Sequence, residues 1–208
     1  MRIGFIVDGD AEFGSLPRLL SKVDTREELL GRVVKASVHP LGGIGKLVRG
    51  LMHSVRVLVL QRKVDLAVVL LDREQRPDCC GALATELKDA LVAECAREGL
   101  AVQIEVVFKD RMFENWLIAD LDALRSCPKR FRVAPSTVKA VEPNRADTAN
   151  ALQILKTATQ QGGYDKVGDA KLILSAAEPL RIAANSRSFR RLLRVVGSPR
   201  YAKQSRRP

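Results

Sequence analysis

The sequence has no uncharged apolar stretch near the ~20 residues that a membrane-spanning helix needs. It is also poor in histidine and cysteine, with two and four residues among 208. The cysteines form no CxxC pair, so neither a disulfide framework nor a zinc knuckle is indicated. An N-terminal signal pattern is missing, because Met1 and Arg2 run directly into a short apolar segment. We therefore expect a cytoplasmic protein that has no membrane partner.

The remaining composition is that of a globular protein, with 46% hydrophobic and 28% charged residues. The formal net charge of +11 is uneven, because the stretch from Arg187 to Pro208 is rich in arginine and contains no acidic residue. Such a basic end attracts nucleic-acid phosphates by counterion release, although it can also be a solvated terminus. The predicted nucleic-acid-binding residues are Arg190, Arg191, Arg194, Arg200, Lys203, Arg206 and Arg207.

The apolar run at residues 66–71, LAVVLL, lacks the alternation of a half-exposed strand. It therefore predicts a parallel strand that is covered by helices on both faces. Asp72 and Glu74 follow this run, at the end of the strand where open α/β sheets bind ligands. Residues two apart can point in the same direction, so both carboxylates could bind one hard cation.

Three further apolar segments predict strands at residues 3–7, 32–38 and 102–108. Helical spacing of apolar residues predicts crossover helices at 45–63 and 82–97, and a helix at 16–23 with Pro17 in its first turn. Alternating strands and helices indicate right-handed crossovers in a parallel sheet. The expected fold is α/β, with about four parallel strands flanked by helices and a small α-helical C-terminal part.

A stretch rich in Pro, Arg and Lys at residues 128–143 predicts a break after the sheet. Helices are expected beyond it at 147–159, 169–184 and 188–196. The predicted organisation is an α/β domain at 1–127, a helical extension at 128–196 and a basic tail at 197–208.

Acidic residues follow three of the predicted strands: Asp8 and Glu12, then Asp72 and Glu74, and finally Glu114. Clustered carboxylates raise one another's pKa unless a cation or a lysine neutralises them. Oxygen-only ligands suit Mg²⁺ or Mn²⁺. The predicted metal ligands are Asp8, Asp72, Glu74 and Glu114.

The segments VDGDAE, LLDRE and FENWLIAD, in this order, resemble the Toprim catalytic domain of topoisomerases, bacterial primases and OLD-type nucleases. The sequence is most similar to the bacterial domain-of-unknown-function 4276 family, which is Toprim-like and linked to antiphage defence. The resemblance covers about residues 1–125 and extends more loosely over the remainder. It implies a Toprim or Rossmann-like sheet.

By this resemblance, the Toprim glutamate corresponds to Asp8, the trailing acid of its loop to Glu12, and the acid-x-acid pair to Asp72 and Glu74. Asp replaces the usual Glu at position 8, and Glu replaces the second Asp at position 74. Both replacements keep the carboxylate. The resemblance implies a Mg²⁺-dependent nuclease of the Toprim type, which hydrolyses phosphodiesters, and a partner protein from a defence operon. The catalytic residues would be Asp8, Glu12, Asp72, Glu74 and Glu114.

Two alternatives remain open. One is a non-catalytic nucleic-acid or protein-binding module of a defence system. The other is a phosphatase of the haloacid dehalogenase type, because Asp8-Gly9-Asp10 matches the Asp-x-Asp nucleophile motif of that family. Glu12 stands where that motif has Thr or Val.

Overall fold

The computed structural model describes residues 1–25, 28–197 and 199–201, with the backbone alone at 28–32. Within these residues four strands form one sheet: β1 Arg2–Val7, β2 Glu28–Lys35, β3 Leu66–Asp72 and β4 Gln103–Lys109. The strand order is β2-β1-β3-β4, and all neighbouring strands are parallel. The predicted α/β fold is therefore confirmed.

Helices connect and cover the strands. Those before β4 are α1 Asp10–Leu20, α2 Ile44–Arg56, which continues into a π-helical turn at Val57–Gln61, and α3 Cys80–Arg97. Those after β4 are α4 Glu114–Ala119, α5 Leu121–Arg125, α6 Pro135–Val141, α7 Ala151–Ala158, α8 Gly168–Ala176, α9 Pro179–Asn185 and α10 Arg187–Val196. None of these described helices is long and apolar enough to span a membrane.

The two faces of the sheet have separate hydrophobic cores. Successive residues of a strand point to opposite faces, so Phe5 and Val68 lie in one core, whereas Ile6 and Val69 lie in the other. The second core is completed by α2 and α3, and the first by α1 and the helices that follow β4. This cover on both sides explains the continuous apolar sequence of β3.

The helices after β4 share the first core with the sheet. The indole nitrogen of Trp116 in α4 donates a hydrogen bond of 2.8 Å to Ser188 Oγ in α10. The Trp116 ring also packs edge-on against Phe189, with 5.1 Å between centroids. Residues from both sides of the predicted boundary at 127 belong to this one cluster. The division into two domains stays a prediction.

Several predicted boundaries were wrong, and the reasons are local. Helix α1 begins at Asp10 and not near residue 16, so Pro17 lies inside the helix. The acids Asp10 and Glu12 occupy its first turn, where the helix dipole favours negative charge. The second strand covers Glu28–Lys35 instead of 32–38.

Two helical stretches are interrupted, and the first of them is a predicted helix. The helix expected at 169–184 breaks between α8 and α9, because Pro179 has no N–H to continue it and starts the next helix instead. The helix that begins at Glu114 ends at Ala119, because the carboxylate of Asp120 caps α5 by accepting hydrogen bonds from Asp122 N and Ala123 N. Part of the predicted break at 128–143 also forms a helix, α6.

Candidate functional site

The carboxyl ends of the central strands bring the key side chains together. Asp8 directly follows β1, Asp72 ends β3, and Lys109 ends β4. Asp72 and Lys109 are paired in the parallel register. The strand order reverses between β1 and β3, and open α/β sheets bind ligands at such a switch point. The topology therefore places a candidate site at Asp8 and Asp72.

Three carboxylates surround the ammonium group of Lys109, whose side chain is 1% exposed. Lys109 Nζ lies 2.6 Å from Glu12 Oε1, 3.0 Å from Asp72 Oδ1 and 3.6 Å from Asp8 Oδ1. We call these four residues the Lys109 cluster. With every carboxylate ionised, it holds three negative charges against one positive charge.

Burial and the charges of the cluster together shift the pKa values of Asp72 and Lys109. Burial raises the pKa of Asp72 to about 8; Lys109 opposes the rise, and the charges of Asp8 and Glu12 add to it. Burial alone would lower the pKa of Lys109, but the charges of Asp72, Glu12 and Asp8 outweigh it and hold that pKa above its usual value. Lys109 therefore stays protonated, and the cluster has a deficit of positive charge.

Glu12 reaches Lys109 because the residue before α1 is a glycine. A Cβ atom on Gly9 would collide with Glu12 Oε2. Gly9 has φ −114° and ψ 154°, which any residue can adopt, so its backbone conformation does not require glycine. The close approach of the Glu12 carboxylate is what favours glycine at this position.

A cavity of about 380 Å³ opens next to the Lys109 cluster. All five predicted catalytic carboxylates line it: Asp8, Glu12, Asp72, Glu74 and Glu114. Glu114 Oε1 lies 3.5 Å from Lys166 Nζ, which reaches the cavity from the segment before α8. Glu74 adopts a left-handed backbone conformation with φ 54°, which is uncommon for a non-glycine residue and is often found at functional sites.

Within the part of the chain that the structure describes, no group of three or more His, Cys, Asp or Glu side chains is arranged to hold a metal ion. The three carboxylates that lie closest together surround the Lys109 ammonium group, which occupies the position that a metal ion would need. The sequence prediction missed Lys109. Its position could have indicated its role: Lys109 directly follows the apolar residues of β4, just as Asp8 and Asp72 directly follow the apolar residues of β1 and β3.

The predicted nucleic-acid-binding arginines lie in different surroundings. The prediction for Arg190 was wrong, because its side chain is buried and its Nη1 donates a hydrogen bond of 2.8 Å to Ala183 O. Arg191 forms an ion pair with Asp110. Arg194 lies on an exposed position of α10, and Arg200 lies 4.0 Å from Asp24. The last three predicted residues, Lys203, Arg206 and Arg207, lie outside the described residues.

No curated protein and no solved structure matches the chain. A family model does match it, over residues 8–196, a range that contains the whole of the Lys109 cluster and both of the other cavity carboxylates. The chain therefore belongs to the family described as a domain of unknown function (DUF4276).

Proposed function

We propose that the protein is a divalent-metal-dependent phosphodiesterase of the Toprim type that acts on nucleic acid. The observation that carries the proposal is the convergence of five carboxylates on one cavity at the carboxyl edge of the sheet. They come from the segments at and after the ends of β1 and β3, from the first turn of α1 and from the start of α4. The resemblance to Toprim domains implies this arrangement.

The donor set fits a hard cation. Asp8 Oδ1 and Asp72 Oδ1 are buried, and the Lys109 ammonium group lies 3.6 and 3.0 Å from them, respectively. Mg²⁺ is typically held by one or two carboxylates together with water and substrate phosphate, so a set of three converging protein ligands is not required. Asp8 and Asp72 would hold the ion, with Glu74 and Glu114 lining the open side of the cavity.

A bound divalent ion would supply positive charge to the developing oxyanion of a phosphodiester. Lys109 fixes the positions of the carboxylates before any ligand arrives, since it contacts all three. Glu12 is the candidate for proton transfer, because its buried side chain lines the cavity and is not among the proposed metal ligands.

The test is cleavage of single-stranded DNA, double-stranded DNA and RNA with Mg²⁺ or Mn²⁺, comparing the wild type with Asp72→Asn. Loss of a metal ligand should reduce the rate by at least about 100-fold, more than the loss of an outer-shell partner. Asp122→Asn is the matched control, since the Asp122 side chain is 58% exposed and does not line the cavity. Cleavage that survives Asp72→Asn would reject the proposed site.

A non-catalytic binding module is the second candidate, favoured by Lys109 itself. A lysine that already pairs with three carboxylates can have a purely structural role, in which it neutralises buried charge. Calorimetry with Mn²⁺ separates the two functions: the absence of any Mn²⁺ binding to the wild type, together with no cleavage, would favour the module.

The phosphatase alternative has less support from the site. Asp10, the second acid of its motif, forms an ion pair of 2.6 Å with Lys35, and its side chain is 70% exposed. It therefore does not join the Lys109 cluster. Hydrolysis of an aryl phosphate that is lost in Asp8→Asn would nevertheless favour a phosphatase.

A further inference from the structure

A second cavity, of about 360 Å³, lies at the same edge of the sheet. Four arginines line it, and we call it the arginine groove: Arg73, Arg76, Arg111 and Arg187. They come from the segments after β3 and β4 and from the start of α10. Glu74 lines both this groove and the acidic cavity, so the two cavities adjoin.

Main-chain carbonyls orient three of these arginines. Arg73 Nε donates to Asp110 O at 2.7 Å and Arg73 Nη1 to Arg76 O at 2.8 Å. Arg76 Nε donates to Pro40 O at 2.8 Å, and Arg111 Nη1 donates to Thr148 O at 3.2 Å. A carbonyl fixes the direction of a guanidinium group but does not cancel its charge. These three side chains are therefore held in place and keep their positive charge.

Two of the three acids that line the groove, Asp110 and Asp147, are already engaged. Asp110 accepts from Arg187 Nε at 2.9 Å and also pairs with Arg191. Asp147 accepts from Ser186 Oγ and from Ser188 N, each at 2.8 Å. These contacts leave Asp110 and Asp147 little capacity to neutralise further arginines. With Glu74 included, three carboxylates face four arginines in the groove.

Asp78 also approaches one arginine of the groove. Its Oδ2 lies 3.8 Å from Arg76 Nη1, but the Asp78 side chain is 53% exposed. An exposed pair at this distance is weak, because water screens it. The groove thus has a surplus of positive charge directly beside a cavity lined by carboxylates.

We propose that the arginine groove binds the phosphate groups of a nucleic-acid strand and holds that strand against the acidic cavity. This inference rests on the proposed function for the identity of the strand. The carboxylates of the acidic cavity repel a polyanion, so affinity has to come from neighbouring positive charge. Arginine suits this task, because its planar group binds phosphate oxygens in pairs. Contacts of this kind position a strand and do not select its sequence.

The proposed site differs from the basic tail that the sequence predicted. Arg73, Arg76 and Arg111 lie outside the basic C-terminal stretch, and only Arg187 of the four groove arginines belongs to it. Of the four groove arginines, Arg111 gives the clearest test, because its described side-chain contact is a hydrogen bond to a carbonyl oxygen. Arg187 is the second choice, since its side chain is 56% exposed.

The experiment measures binding of a labelled single-stranded oligonucleotide by fluorescence anisotropy across a salt series. EDTA is present, so neither cleavage nor metal binding contributes. The variants are Arg111→Gln and Arg111→Gln/Arg187→Gln. The control is Arg97→Gln/Arg125→Gln, which removes the same charge from two exposed arginines that pair with acids on their own helices. Far-UV circular dichroism verifies that each variant is folded.

The slope of log affinity against log salt should fall in magnitude by about 0.7 for each phosphate contact that is lost, and the control should keep the wild-type slope. Equal slopes in all folded variants, or an equal reduction in the control, would overturn the inference. Displacement of the oligonucleotide by inorganic phosphate at constant ionic strength would also overturn it, since the ligand would then be free phosphate.

The outcomes separate this inference from the proposed function. Groove-dependent binding without any cleavage in Mg²⁺ or Mn²⁺ would support the groove and reject the nuclease. Cleavage that needs Asp72, combined with binding that ignores Arg111 and Arg187, would support the nuclease and overturn the groove.

Discussion

At the scale of single residues, Lys109 has the largest effect on the site. Its side chain is 1% exposed and lies within 3.6 Å of three carboxylates. A buried charge of this kind is tolerated only when it is paired, because desolvation is costly. Lys109 and the carboxylates therefore depend on one another, and this explains why the acids can lie together when no cation is bound.

We expect Lys109→Met to lower the free energy of unfolding at neutral pH by about 3–5 kcal/mol, since it leaves buried carboxylates without their partner. Denaturant unfolding followed by circular dichroism measures the change. Lys88→Met is the matched control, because Lys88 pairs with Glu105 at 2.7 Å while both side chains are 38% exposed, and it should cost at most about 1 kcal/mol. Similar losses in the two variants would show that the cluster contributes little to stability.

Asp147 gives a pH prediction at the same scale. Burial raises its pKa; hydrogen bonds from Ser188 and Ser186 oppose the rise, and the charge of Asp110 adds to it. The folded state therefore binds a proton more tightly than the unfolded chain does. The stabilisation is complete below the ordinary Asp pKa of about 3.9 and is lost as pH rises through the higher folded value.

Asp147→Asn removes this titration. Above about pH 4, the free energy of unfolding should fall less with rising pH in the variant than in the wild type. Urea unfolding at a series of pH values measures both slopes. Identical slopes would show that the pKa of Asp147 is the same in the folded and unfolded states.

At the scale of elements, the start of α1 shows how a helix terminus can shape the site. Gly9 precedes α1 and lies against the carboxylate of Glu12, whereas Gly43 precedes α2 and a Cβ atom there would meet nothing within 4 Å. Both glycines have extended backbone conformations that alanine can adopt. The pair thus separates the effect of the close contact from the general effect of alanine at a helix start.

Gly9→Ala should displace Glu12 from Lys109 and lower the free energy of unfolding by about 1–3 kcal/mol more than Gly43→Ala, which is the usual cost of overpacking. Alanine before a helix costs a similar amount in both variants, so the difference reports the clash. Thermal and denaturant unfolding provide the two values. If the variants lose the same stability, Glu12 moves aside without cost.

The element boundaries also show where sequence patterns fail. The breaks after α4 and α8 depend on a capping carboxylate and on a proline, which are single residues inside otherwise helical apolar patterns. Asp120 additionally accepts hydrogen bonds from Glu178 N and Arg181 Nε, each at 2.8 Å. Because this second role requires residues distant in sequence, no local pattern reveals it.

At the scale of the whole molecule, the shared core predicts cooperative unfolding. The single tryptophan, Trp116, contacts Ser188 and Phe189 in α10, so its fluorescence reports how the C-terminal helices pack. Far-UV circular dichroism reports the helices on both sides of the sheet. We expect the two denaturation curves to coincide, because the strands contribute side chains to both cores and the helices after β4 share the first core with the sheet.

A fragment of residues 1–127 is the complementary test. It would lack the helices that bury Trp116 and Leu117 on one face of the sheet. We expect it to bind a hydrophobic dye and to unfold without a sharp transition. A cooperative fragment, with separate curves for the full chain, would instead support two independent domains.

The class of fold and the list of candidate carboxylates could be predicted from the amino-acid sequence. Continuous apolar strands that alternate with amphipathic helices indicate a covered parallel sheet, and the position of the acids after the strands puts them at one edge. Each of these inferences uses neighbours in the chain. They are therefore readable without coordinates, and the five carboxylates do line one cavity.

The pairing of the charged side chains could not be predicted in this way, because it depends on the folded arrangement of distant segments. Lys109 is separated by 97 residues from Glu12, and Arg187 by 77 residues from Asp110. Their contacts depend on strand register and on the packing of α10, which no local pattern encodes. Electrostatic energy falls with distance and is strongest where water is excluded, so the balance between cluster, cavity and groove is set by the folded geometry.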